Sequence, residues 1–252
     1  LANRRQIPIG NVVDFKGDSD EEETSFEKLL FVFYNREFRI TNLAELKRMT
    51  NLADYYLSLP ALSASLYAAL HRSHGLHHEI YSVPEEFLII AKKLRSSALF
   101  KEALILSLGP FRQPKYLQLS DPELRRIAEK TYNALTSKVL KLLGLLTGFR
   151  KLSARYNRVA EHEIPLLCGQ DCWEPCWAEY FRNVEIDSVS FWEKFSNENQ
   201  KSVVKIALRA LMKSELQFDK SIQSGSGKFK EYFLCSEIED EVLPWDPTEM
   251  DW

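Results

Sequence analysis

The sequence predicts a mainly α-helical protein, and three observations carry that prediction. Only 9 Gly and 10 Pro occur in 252 residues. Apolar residues recur at spacings of three and four over long stretches, the period of a helix with one buried face. Helix-start signals stand at Asn42, Ser82 and Ser120. With 45% apolar residues, the chain is long enough to bury the core of one large domain or two small ones. That composition excludes collagen-like, low-complexity and globally disordered classes.

The opening is the exception. Gln6-Ile7-Pro8-Ile9 contains a proline, which restricts it to an edge strand or an extended lead-in. The acidic run Asp18 to Glu23 reads as a solvated loop whose last members favour the positive end of a helix beginning near Ser25. That helix would bury Phe26, Leu29, Leu30 and Phe33. Asn42 and Glu45 form a plausible capping box for the next helix, with Leu43, Leu46, Met49, Ala53 and Tyr56 inward. Pro60 fits the first turn of a further helix that buries Leu62, Leu66, Ala69 and Leu70. The two helices, broken at Leu59-Pro60, make an αα-hairpin.

His71 to His78 reads as a loop, with Gly75 ending the helix. Ser82, Pro84 and Glu85 start a helix whose face is Phe87, Ile90, Ala91 and Leu94, and the following one stops at Gly109-Pro110. From Ser120 a long helix runs to about Thr147, capped by Gly148, with Leu124, Ile127, Ala128, Leu135, Val139 and Leu142 inward. After the basic stretch Arg150–Arg158, helices are expected over Asp171–Arg182, Ser190–Phe195 and Glu198–Leu216. The last would bury Val203, Val204, Ala207, Leu208 and Leu211. Ser221–Gly227 is a flexible linker by composition, and from Phe229 onward eight carboxylates face one lysine among Tyr232, Phe233, Trp245 and Trp252. No fixed-period repeat supports a solenoid.

Charge narrows the function classes. Lys and Arg number 33 against 36 Asp and Glu, a balance that gives no reason to expect a phosphate-backbone footprint on nucleic acid. The longest apolar run, Val139–Leu146, is short and interrupted by Lys141, far from the roughly 18 residues of a membrane span. Four Cys in so long a chain read as the reduced thiols of an intracellular protein, cytoplasmic or nuclear. The first residues lack an initiator Met and a signal peptide's apolar core, as a processed, trimmed or incomplete product would.

Two clusters carry potential metal chemistry. His71, His74, His77 and His78 lie within eight residues, and imidazole is the commonest metal ligand. The cluster has no HExxH, so its plainer reading is an exposed loop without a ligand. Cys168, Cys172 and Cys176 are spaced by four, but a structural zinc would need remote His162 or Cys235 as the fourth ligand. Their plainer reading is thiols packed beside Trp173 and Trp177. Gly225-Ser226-Gly227-Lys228 lacks the spacing and the hydroxyl of a phosphate loop and reads as linker. No GxSxG turn exposes a serine nucleophile.

The first third has a further pattern: IPI, an acidic loop, FEKLLFVFYNREF, a short extended RI, then NLAELKRMTNLADYYLSLPALSASLYAAL. It resembles the second half of a BTB/POZ domain. Leu52-Ala53-Asp54-Tyr55-Tyr56 followed by Leu59-Pro60-Ala61-Leu62 is similar to the passage that joins the last two helices of that fold in fungal members. Glu86 to Arg95, with Leu99 to Ala103 behind it, resembles the helical region that follows. The resemblance spans roughly residues 5–145 and rests on apolar and small residues. The family's opening strand hairpin and helix pair, where self-association and docking of a cullin-type ligase would reside, do not occur in this sequence.

The resemblance implies a partial BTB/POZ-like α+β unit over residues 1–73 followed by an all-helical extension over 74–220, and composition adds a flexible linker with an acidic aromatic tail over 221–252. It implies a non-enzymatic protein–protein interaction module, an adaptor or scaffold, with no cofactor and no metal. Leu52, Ala53, Tyr56, Leu59, Leu62 and Leu66 are the expected core-positioning residues, and Phe229, Tyr232 and Phe233 the expected tail-docking ones. The alternative is a metal-dependent enzyme on a helical scaffold, using His71–His78 or the Cys168–Cys176 stripe.

Overall fold

The structure is a computed structural model that describes residues 19–153, 176–186, 192 and 198–249. Among these residues there are nine α-helices and no strand, so the protein is mainly α and the expected sheet component is not seen there. The lead-in Gln6–Ile9, residues 154–158 of the basic stretch, His162, Cys168, Cys172, Trp173 and most of Ser190–Phe195 lie outside the described residues.

Helix α1 spans Ser19–Phe33, and it corrects both its expected start and its expected face. The acidic run from Ser19 onward is helical, because carboxylates in a first turn oppose the helix dipole favourably. The buried positions are Ser25, Leu29 and Val32, while Phe26 and Phe33 are exposed. The stripe is rotated because Ser25 returns its hydroxyl to the Glu21 carbonyl at 2.8 Å, which lets a small polar residue face the core. Residues 36–41 form no regular element, but Phe38 and Ile40 are buried, and the Ile40 N–H donates to Ser73 Oγ at 2.8 Å.

Helix α2, Leu43–Tyr55, starts as predicted: the Glu45 N–H donates to Asn42 Oδ1 at 2.8 Å. The Glu45 carboxylate reaches one residue further back than a capping box does, accepting from Thr41 N and Oγ1 at 2.7 and 2.9 Å. Burial would raise this carboxyl's pKa, yet the bonds from Lys28 and Thr41 override burial and hold it below the usual value. α1, α2 and α3 (Leu59–Arg72) pack on one another, α3 burying Leu62, Leu66, Ala69 and Leu70.

The segment His71–His78 is not a loop. Helix α4, His74–Ser82, follows α3 after a kink at Ser73, whose φ and ψ are −103 and 58. The chain continues helically through Gly75 because Leu76 and Ile80 have the core to pack into. Ser82 is likewise corrected as a cap: it closes α4 by donating to the His78 carbonyl at 2.9 Å. Helix α5, Pro84–Lys93, begins with the proline in its first turn and buries Phe87, Ile90, Ala91 and, just beyond it, Leu94.

Helix α6, Ser97–Ser107, packs closely on α5 and is covered almost all round, with Leu99, Phe100 and Ala103 to Leu106 buried. After a 3₁₀ turn at Lys115–Gln118, helix α7 runs Pro122–Ser153. Its cap is Asp121, one residue after the predicted Ser120: Asp121 Oδ1 accepts from Glu123 N at 2.9 Å and Leu124 N at 3.2 Å. It also runs past Thr147 and Gly148, the predicted stop. Helix α8 is Trp177–Ile186 and α9 is Glu198–Met212, and α9 packs on both α7 and α8. Val203, expected inward on α9, is 51% exposed; Val204, Leu208 and Leu211 form the buried face.

The segment after α9 corrects the expectation of a loose linker and tail outside the core. Ser224 is fully buried and its hydroxyl accepts from Leu234 N at 3.0 Å. Arg182 Nε of α8 donates to the Ser224 carbonyl at 2.8 Å. Gly225 sits at φ +72 against α8, where a Cβ would come within 2.2 Å of the Ala178 carbonyl oxygen. Tyr232, Phe233, Leu234 and Cys235 belong to the main apolar core. Composition marks this segment as flexible, but backbone hydrogen bonds and aromatic burial hold it.

Candidate functional site

Three helices here end alike. At the ends of α1, α2 and α5 the chain closes in a Schellman turn, with Arg36 N, Ser58 N and Ser96 N donating to the Phe31, Ala53 and Ala91 carbonyls at 2.8, 2.6 and 3.0 Å. Such a turn places one residue in the left-handed region, where glycine is cheapest. This chain puts Asn35, Leu57 and Arg95 there, with φ of 51, 51 and 46. Asparagine is a usual substitute; leucine and arginine are not.

Leu57 defines an unusual corner. It is 90% exposed, and beside it Tyr55 is 80% and Tyr56 50% exposed. Tyr56, predicted to point into the core, is therefore corrected. α2 has already turned away from α3 at that point, and the ring packs on Phe26 of α1 instead, with centroids 5.6 Å apart. Tyr55 meets Tyr56 edge to face at 5.0 Å. A shallow groove of about 370 Å³ runs between the two helices, lined by Ser19, Glu22, Glu23, Phe26, Leu52 and Tyr56. Beneath the corner, Ala53, Leu62 and Leu66 are buried, and Leu52 and Leu59 are half-buried. The core residues thus fix a platform whose outer face is aromatic. Sequence periodicity missed Tyr55 and Leu57; the signal was a Leu, where a Gly or Asn would be expected, between a helix end and the next start at Ser58-Leu59-Pro60.

The expected tail residues pack in cis. Phe229 is half-buried, its ring 5.5 Å from Tyr81 and 5.3 Å from Tyr232. Phe233 lies edge-on to Phe111 at 5.1 Å and 6.1 Å from Phe181. The first three residues of the histidine cluster are not arranged as convergent ligands. His71 and His77 flank Phe218, with centroids at 5.4 and 5.6 Å, and His74 meets the edge of His77. His77 is buried, and its Nε2–H donates to the Leu70 carbonyl at 3.0 Å. Burial, chiefly, holds its pKa below the usual value. Among the described residues no group of three His, Cys, Asp or Glu is placed to hold a metal ion. The Cys176 thiol donates to Glu231 Oε1 at 3.3 Å, and burial pushes the Cys235 thiol up to about 11.

One buried acid was invisible in the sequence. Glu102 of α6 is fully buried, and its Oε2 accepts the Gln217 N–H at 2.6 Å, with the Phe218 N–H also bonded to the carboxylate. Burial pushes its pKa up to about 7, with Asp219 adding to the shift. Glu102 thereby ties the central helix to the C-terminal segment.

No protein-family model, no curated protein and no solved structure matches this chain.

Proposed function

We propose that this protein is a non-enzymatic protein–protein interaction module of BTB/POZ type, acting as an adaptor or scaffold inside the cell. The single observation behind this reading is the Tyr55-Tyr56-Leu57 corner: three large side chains kept in water, one of them at a strained backbone position. A left-handed leucine costs about 1 kcal/mol relative to a glycine there. Exposed aromatic clusters of this kind are typical of contact surfaces, where Tyr is among the residues that dominate binding energy.

The BTB/POZ type rests on the Leu52–Leu62 resemblance. In this reading the partner is a protein, and self-association or cullin-type ligase docking belongs to the half of the fold that family members carry upstream. No helix among the described residues is long and apolar enough to cross a membrane. The test is quantitative affinity capture with the full-length protein and with a Tyr55→Ser, Leu57→Ser variant that keeps its circular dichroism. A partner lost from the variant supports the reading. An unchanged partner set, or stoichiometric zinc or iron by elemental analysis, would overturn it.

A further inference from the structure

The groove between α1 and α2 joins two kinds of surface. On α1, Ser19, Glu22, Glu23 and Phe26 fall at i, i+3, i+4 and i+7 and so share one face. Leu52 and Tyr56, four apart at the end of α2, form the opposite wall. One end of the groove is apolar: Phe26 is 36% and Tyr56 50% exposed, and Leu52 is half-buried. The other end is acidic.

The acidic end is not neutralised from within. The cations of α1 and α2 are all committed elsewhere: Lys28 pairs with Glu45, Lys47 with Glu86, and Arg48 Nη1 with Glu21 Oε2 at 2.7 Å. Among the described residues the Glu22 and Glu23 carboxylates have neither a hydrogen bond nor an ion pair, and Glu22 is already half-buried. The helix dipole accounts for carboxylates in this turn. It does not account for the exposed apolar wall one turn further on, on the same face.

We propose that this groove seats a basic amphipathic helix of a partner protein. The proposal rests on reading the aromatic corner as a contact surface and adds the partner's chemistry. An apolar anchor enters between Phe26, Leu52 and Tyr56, and a Lys or Arg meets Glu22 and Glu23. The carboxylates stand about 5.4 Å along the axis from Phe26, so the cation lies three or four residues from the anchor. A seam between two helices suits the ridge of a third and offers no strand edge to an extended peptide. A neutral or acidic helix would cover Glu22 without supplying a counter-charge, which is costly.

The test titrates the full chain with a labelled helical peptide carrying Leu and Arg four apart, read by fluorescence anisotropy. A Leu–Glu peptide and a Ser–Arg peptide are the controls. Only the Leu–Arg peptide should bind saturably, and more weakly as salt rises. A Glu22→Gln, Glu23→Gln variant with unchanged circular dichroism should weaken it about tenfold. Glu22→Lys with Glu23→Lys should move the preference to the Leu–Glu peptide. No saturable binding, equal binding of the Leu–Arg and Ser–Arg peptides, or no effect of the Gln variant would overturn the proposal. So would binding that appears only after Arg4→Ser with Arg5→Ser, which assigns the groove to this chain's own basic segment, or self-association that the Gln variant abolishes. In partner capture, loss from the Tyr55→Ser, Leu57→Ser variant with the Gln variant unchanged would overturn this proposal and leave the contact-surface reading standing.

Discussion

The corner at residues 55–57 and the segment at 224–235 invert what their compositions promise. Tyr55, Tyr56 and Leu57 are large and apolar, yet they are half or more exposed. Ser224 and Gly225 come from a Ser- and Gly-rich stretch, yet both are buried, and Tyr232 to Cys235 follow them into the core. The difference lies in what each backbone is offered. At the corner a Schellman turn satisfies the carbonyls locally and turns the chain away before any neighbour can cover the rings. In the C-terminal segment, Arg182 of α8 and the segment's own Leu234 N–H bond Ser224, and Glu102 of α6 holds the chain just before it at Gln217. Hydrophobicity measures the gain available on burial; whether burial occurs depends on a neighbour and on satisfied backbone groups.

The largest effect should come from the segment that composition marks as loose. Phe233→Ala is expected to destabilise by about 3–5 kcal/mol, and Leu62→Ala in the front hairpin by about 2–5 kcal/mol. Phe233 is 2% exposed and Leu62 fully buried. Both losses are read from urea denaturation, and one shared cooperative transition is expected because the two residues belong to one apolar core. A Phe233→Ala loss below about half a kcal/mol would return the segment to a peripheral tail.

Next in size is a pH dependence. The Glu102 carboxyl titrates near 4.5 when unfolded and at about 7 in the fold. The folded state holds that proton more tightly, so this group's contribution is full below 4.5 and is lost as pH rises through 7. The loss amounts to about 3 kcal/mol. His77 works in the opposite sense: its folded pKa lies below 6.5, so its contribution is present above that pH and declines as pH falls. The clean measurement is therefore the stability difference between wild type and Glu102→Gln, which should shift by about 3 kcal/mol between pH 4.5 and 7.5. A difference that stays level with pH would show that the carboxylate is not desolvated as described.

Gly225→Ala probes the same segment through its backbone. With φ +72 and the Ala178 carbonyl 2.2 Å from the new Cβ, a loss of about 1–3 kcal/mol is expected in thermal or urea unfolding. Leu57→Gly gives the smallest effect and the opposite sign, a gain of up to about 1 kcal/mol, since glycine relieves φ 51 and no buried contact is removed. If that variant gains stability while partner capture falls, the exposed leucine is retained for contact. If it loses more than about half a kcal/mol, the corner is held for folding instead.

The helical character of the chain, the start of α2 at Asn42, the proline starts of α3, α5 and α7, and the buried stripes of α3, α5 and α7 were legible in the sequence. Caps, proline positions and side-chain periodicity act within a turn or two of the backbone, so local order carries them. Tertiary structure alone decided the rest. It rotated the α1 stripe to Ser25, Leu29 and Val32, continued the helix through Gly75, turned Tyr56 outward, and sealed Ser224 and Glu102 inside. The sealing of Glu102 and Ser224 depends on groups far away in the chain: Gln217 bonds Glu102 across 115 residues and Arg182 bonds Ser224 across 42. Burial and hydrogen-bond satisfaction are set by such neighbours, and the order of residues does not reveal which neighbour arrives.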